Sequence, residues 1–199
     1  MVVDPRNLIQ VMLAEGKEVN EKNSFQSVNT QSRATVKLAM TAVMSALIAV
    51  TTMTAIPMPP PLSTLTFAPI IIFVVGILMG PVPALVSSAI GSGLGFLAGA
   101  SIGSIMVPPG FMGVFLLGIV VSRGPMGATV GLLRKINEAA AMVIAVLVET
   151  AIFFFLDWGL FGFGVALITL GTLIDLVFVP IGYIVLKVVK KMWDVTLLE

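Results

Sequence analysis

"FMGVFLLGIVVSRGPMGATVGLL", residues Phe111–Leu133, is an apolar run that carries one charge, Arg123. Its reading decides the fold. As a soluble helix it would have no polar face to turn to water. As a membrane span it must carry a permanent cation, Arg123, with Gly124 and Pro125 directly after it. The rest of the chain supports the span. The composition is 58% hydrophobic and 11% charged, with a mean hydropathy of +1.11, whereas soluble domains are about a quarter charged. At 199 residues the chain is sized for one bundle.

Working outward from that span, five further apolar segments appear: Thr35–Ile56, Leu65–Gly80, Ala84–Ala98, Ala139–Leu156 and Phe161–Leu186. Pro57, Pro59, Pro60 and Pro61 form a stiff connection after the first, and Pro81 and Pro83 are expected to form a tight turn after the second. A helix needs about 20 apolar residues to cross the hydrocarbon core, so the second and third segments are short. They are expected to thin the bilayer or line a cavity. Basic residues test the count. Lys22, Arg33 and Lys37 flank the start of the first segment, Arg134 and Lys135 follow the fourth, and Lys187, Lys190 and Lys191 close the sixth. The connections 57–64, 99–110 and 157–160 contain no Lys or Arg. Six spans put every basic residue except Arg123 on the side of the termini, which the positive-inside rule makes cytoplasmic. Trp158 and Trp193 are then expected at the two interfaces. The expected fold is an all-α integral membrane protein, a six-transmembrane-helix bundle over residues 35–191. A polar tail, 1–34, precedes it and a short tail, 192–199, follows.

The tail carries four charges of each sign. Asp4-Pro5 reads as an N-cap and first helical residue, predicting a short amphipathic helix over 5–15 with Leu8, Ile9, Met12 and Leu13 on one face. Asp4, Arg6 and Glu15 interrupt the place where a secretory leader would keep its apolar core, so none is expected. Without histidine or cysteine, the commonest metal ligands and thiol chemistry are missing. No metal, cofactor or nucleic-acid partner is expected, and no catalytic motif is present. The glycines of "GSGLG" (91–95) lie inside a span rather than after a strand.

Three charges fall inside the spans: Arg123, Glu149 and Asp175. At about 1.5 Å per residue, they lie roughly 15–18 Å from the basic end of their segments, which is one layer near the midplane. Each alone costs about 3 kcal/mol on the insertion scale, so they are expected to face inward and meet. The cluster reads either as a lock between helices or as a polar site for a small molecule, and the readings can coexist. Two acids against one arginine leave a surplus carboxylate, which must keep its proton or face a donor. Pro125 removes an amide donor and is expected to loosen the helix near Ser122. Small residues repeat at Ala39, Ala42, Ala46 and Ala49, at Ala84, Ser88, Ser92 and Gly95, and at Gly124, Gly127 and Gly131, as on helix faces that approach closely.

In order along the chain, "LAMTAVMSALIAV" (38–50), "IPMPPPL" (56–62), "FVVGILMGPVPALVSSAIGSGLGFLAG" (73–99) and "SRGPMGATVGLLRK" (122–135) resemble the substrate-binding S-components of energy-coupling factor (ECF) transporters. The resemblance covers about residues 34–190. It implies a six-helix, non-enzymatic capture subunit that takes a vitamin or related micronutrient from outside. Release inside would be driven by a transmembrane coupling subunit and its pair of ATPases. It implies a ligand site among Arg123, Glu149, Asp157, Trp158 and Asp175, with Trp158 or Phe153 stacking on a ring. It also implies a coupling face at Ala42 and Ala46. The sequence departs from relatives that carry an acid at the start of the second helix, since "TLTFAP" (64–69) has none, and it lacks the N-terminal histidine of the metal-binding branch. Two other classes remain open: a self-sufficient proton-coupled carrier titrating Glu149 or Asp175, and an intramembrane hydrolase using that acid pair.

Overall fold

The computed structural model describes residues 34–57, 64–108 and 110–192. The amphipathic helix expected at 5–15, the rest of the polar tail before Ala34, most of the proline-rich connection, Trp193 and the last residues lie outside these. The chain divides into a unit up to Leu38 and a unit from Ala39 onward. All packing below concerns the second.

Five helices are long and apolar enough to cross a membrane: α1 (Ala34–Met53), α3 (Pro81–Ser101), α4 (Met112–Leu133), α5 (Glu138–Phe161) and the composite Phe163–Met192. A shorter apolar helix, α2 (Ala68–Met79), precedes α3. This is the architecture of a multi-pass membrane protein. The remaining regular structure is a two-residue antiparallel bridge, Ile56–Pro57 (β1) with Thr64–Leu65 (β2).

Several boundaries differ from the sequence expectation, each for a local reason. Pro81 and Pro83 do not form the turn. Gly80 does, at φ 91°, and both prolines sit in the first turn of α3, where a missing N–H leaves nothing unpaired. The third segment is therefore long enough to span. The second is shorter than expected, because Thr64 and Leu65 pair with β1. The segment 157–160 is not a connection but the last turns of α5, which ends at Gly162, φ 89°. Asn137 caps the start of α5, its side chain accepting from the Ala140 amide at 3.1 Å. Pro125 sits inside α4, which stays helical from Met112 to Leu133, so any loosening near Ser122 does not break the helix.

The sixth segment is the least regular. It runs as α6 (Phe163–Thr169), a 3₁₀ stretch (Leu170–Val177) and α7 (Phe178–Met192). Pro180 falls in the first turn of α7, where its missing N–H leaves no helical bond unmade, so a restart at Phe178 accommodates it.

Within the unit from Ala39 onward, α3 packs on α4, α4 on α5, and α2 against α3, α4 and α7. Lipid tails are as apolar as leucine, so close approach rather than burial of apolar area drives helix association. Small residues provide it. A Cβ on Gly91 would stand 2.5 Å from the Ser45 carbonyl oxygen of α1, and one on Gly76 would stand 2.6 Å from Val130 Cβ of α4. On α1 the face turned to α3 holds Ser45, Ile48 and Thr52, all buried, while Ala42 and Ala46 are exposed. Helix α2 is apolar all round and almost wholly buried, with Ile72 and Phe73 at its core, as expected of a helix enclosed by others.

The ends of the helices sort into two groups. Arg134 Nη1 donates to the Ile77 and Leu78 carbonyls at 2.9 and 3.3 Å, capping the C-terminus of α2. Lys190 pairs with Glu138. The end of α2, the end of α4, the start of α5 and the end of α7 thus meet, and the basic residues gather there. At the opposite end Ser104 Oγ donates to the Met53 carbonyl at 2.6 Å, and the Phe111 and Phe161 rings meet at 5.7 Å.

Candidate functional site

Arg123, Glu149 and Asp175 meet. Arg123 Nε stands 2.5 Å from Glu149 Oε1 and Nη2 stands 3.4 Å from Asp175 Oδ2. Glu149 is 1% exposed and Asp175 4%. α4, α5 and the 3₁₀ stretch each contribute one charge, at the shared depth that residue spacing predicts. The two other residues expected in the site are elsewhere. Asp157 lies two turns further along α5, about 12 Å away at the helical rise, and accepts from Thr169 Oγ1 at 2.6 Å. Trp158 is half exposed and packs edge-on to Phe154 and Phe163 and stacked on Phe155.

A fourth residue joins the cluster. Arg123 Nη2 also donates to Thr66 Oγ1 at 3.4 Å, and Thr66 is buried. Its position follows from the shortness of α2. Twelve residues rise about 18 Å, so the segment before α2 begins part-way along the bundle, level with Arg123. Thr66 belongs to "TLTFAP", the stretch that lacks the acid of the resembled family.

The 3₁₀ stretch positions Asp175. At three residues per turn, side chains three apart eclipse one another, so Thr172 and Asp175 share a face and Thr169 leads into it. Thr172 Oγ1 donates to the Thr169 carbonyl at 2.8 Å and shares a hydroxyl–hydroxyl bond with Thr150 Oγ1 of α5 at 2.9 Å. The spacing T-x-x-T-x-x-D was the available signal for this line. Replacing Thr172 with valine is expected to lower stability by about 1 kcal/mol, the net worth of a hydrogen bond. Thermal unfolding in detergent should resolve the loss, and an unchanged midpoint would deny Thr172 this role.

The pairing is incomplete. Arg123 Nη1 and both carboxylate oxygens of Glu149 are buried with no hydrogen-bond partner. Nε and Oε1 are close enough for a strong charge contact, but no N–H is aligned on either Glu149 oxygen. A buried carboxylate left without donors is costly. Among the described residues no three His, Cys, Asp or Glu side chains form a metal-binding group. A groove of about 440 Å³ is lined by Leu147, Phe154, Phe155 and Leu170 with Thr150 among them, and none of the three charged residues lines it. Its walls are apolar and largely lipid-type.

Comparison with protein-family models, with curated proteins and with solved structures finds no match to this chain.

Proposed function

We propose that the chain is the substrate-capture subunit of an ECF-type importer in the cell membrane. It crosses the bilayer six times with both termini cytoplasmic, the short α2 counting as one pass inside the bundle. It binds a vitamin or related micronutrient from outside and releases it inside together with a coupling subunit and an ATPase pair, and it performs no catalysis itself. The observation that carries the reading is the buried Arg123–Glu149–Asp175 cluster, whose donor and acceptor atoms are not all used by the protein. Ionisable groups retained at membrane depth are functional in most proteins. The ordered resemblance from 38 to 135 supplies the transporter class, and the exposed Ala42 and Ala46 supply a free face for the coupling subunit. Asp157 and Trp158 would meet a ligand entering from the end opposite the basic residues.

The test is reconstitution. The full chain in proteoliposomes should retain a co-purified small molecule but not turn over until the coupling subunit and ATPases are added. Turnover by the chain alone under a proton gradient would favour the self-sufficient carrier instead. Replacing Ala46 with tryptophan is expected to reduce coupled transport to background while leaving small-molecule retention and thermal stability unchanged. Wild-type transport in that variant would remove the coupling face from α1.

A further inference from the structure

The geometry points to an organic monocation as the molecule this site takes, one whose protonated nitrogen donates to Glu149 and which carries a hydrogen-bond acceptor for Arg123 Nη1. The inference rests on the capture reading and concerns the chemistry of its ligand.

Three observations lead there. The first is charge. One guanidinium faces two carboxylates, Glu149 and Asp175, so the ionised cluster holds one negative charge that no residue balances. The other charges of the described helices lie towards the ends, except Asp157, which Thr169 already engages. An anionic ligand would add to the imbalance, in surroundings where an unpaired charge costs far more than in water, and a monocation would cancel it. The second is donor count. Both Glu149 oxygens lack a donor, and Arg123 spends Nη2 on Thr66 and Asp175. Beyond the Nε charge contact, the described side chains give Glu149 no aligned donor, and N–H groups of a ligand would supply them. An ammonium or amidinium supplies two or more in the strong, charge-assisted form, whereas a hydroxyl supplies one. The third is Arg123 Nη1, a buried donor without an acceptor. A carbonyl, ring nitrogen or hydroxyl oxygen on the same ligand would fill it. The three unsatisfied atoms are thereby matched by two ligand groups.

The test uses three probes on one scaffold: 3-(aminomethyl)benzamide, benzene-1,3-dicarboxamide and 3-carbamoylbenzoate. They share a ring and a carboxamide and differ in charge. Their binding to the full-length protein in detergent would be measured together with the charge of the compound that co-purifies with it. The amine is expected to bind at least about tenfold more tightly than the neutral diamide, the gain of a charge-assisted bond, with the carboxylate weakest and the co-purified compound a cation. Glu149→Gln should abolish the preference and Glu138→Gln, at the basic end of α5, should leave it intact. Tighter binding of the carboxylate, an anionic co-purified compound, or a preference that survives in Glu149→Gln would overturn the inference and leave the capture reading standing. Failure of all three probes together with the absence of any co-purified compound would overturn both.

Discussion

Replacing Arg123 with alanine is expected to destabilise the protein by about 3–5 kcal/mol, because it strands two buried carboxylates that then share no counter-charge. Glu149 and Asp175 reach Arg123 from different elements, so the loss should loosen the contacts of both α5 and the 3₁₀ stretch with α4. Thermal unfolding in detergent would measure it, and small-molecule retention should disappear in the same variant. A second variant separates the two effects. Removing all three charges together, as Arg123→Met with Glu149→Leu and Asp175→Leu, abolishes the desolvation penalty along with the pairs. It is expected to restore most of the stability without restoring retention. If Arg123→Ala proved as stable as the wild type, the acids would not depend on the guanidinium.

The second large effect concerns the α3–α4 contact. A Cβ on Gly131 would stand 2.5 Å from the backbone N and Cα of Pro81, and backbone cannot move aside as a flexible side chain can. Gly131→Leu is therefore expected to cost about 1–3 kcal/mol or more through overpacking. Gly124 provides the contrast on the same helix. A Cβ there meets Ala89 Cβ at 3.4 Å, an ordinary contact. Gly124→Ala is expected to be neutral, or stabilising by up to about 1 kcal/mol through helix propensity. Equal effects of the two substitutions would contradict the assignment of close approach to Gly131.

That contrast answers part of the question raised by the span Phe111–Leu133. Its small residues are legible in sequence as a packing face, but which of them touch backbone is not. That depends on the rotation of α4 against α3, which no repeat of small residues encodes. The meeting of Arg123, Glu149 and Asp175 was legible, because each stands at a similar count of residues from a basic helix end and charge at that depth has few places to go. Thr66 was not. Nothing in an uncharged threonine before a short apolar segment marks it as a partner, and its role appears only once α2 is seen to begin level with Arg123. Asp157 and Trp158 were grouped with the cluster through a family resemblance, whereas Asp157 is engaged by Thr169. The connections expected at 81–83 and 157–160 show another limit. Proline and glycine were read as turn residues, but prolines opening a helix lose nothing, and Asp157 with Trp158 could be kept helical until Gly162. The 3₁₀ stretch is hidden for another reason: in a run this apolar, the few polar residues do not separate a period of three from one of 3.6.

The account stands most directly on α4 crossing the membrane with Arg123 inside it. Met106 and Ile136 flank that helix and are highly exposed, at 89% and 80%, and the chain has no cysteine of its own. Met106→Cys and Ile136→Cys can therefore each be probed with a membrane-impermeant maleimide, before and after permeabilisation of the cells. The account predicts labelling of position 106 in intact cells and of position 136 only after permeabilisation. Labelling of both positions from the same side would contradict it.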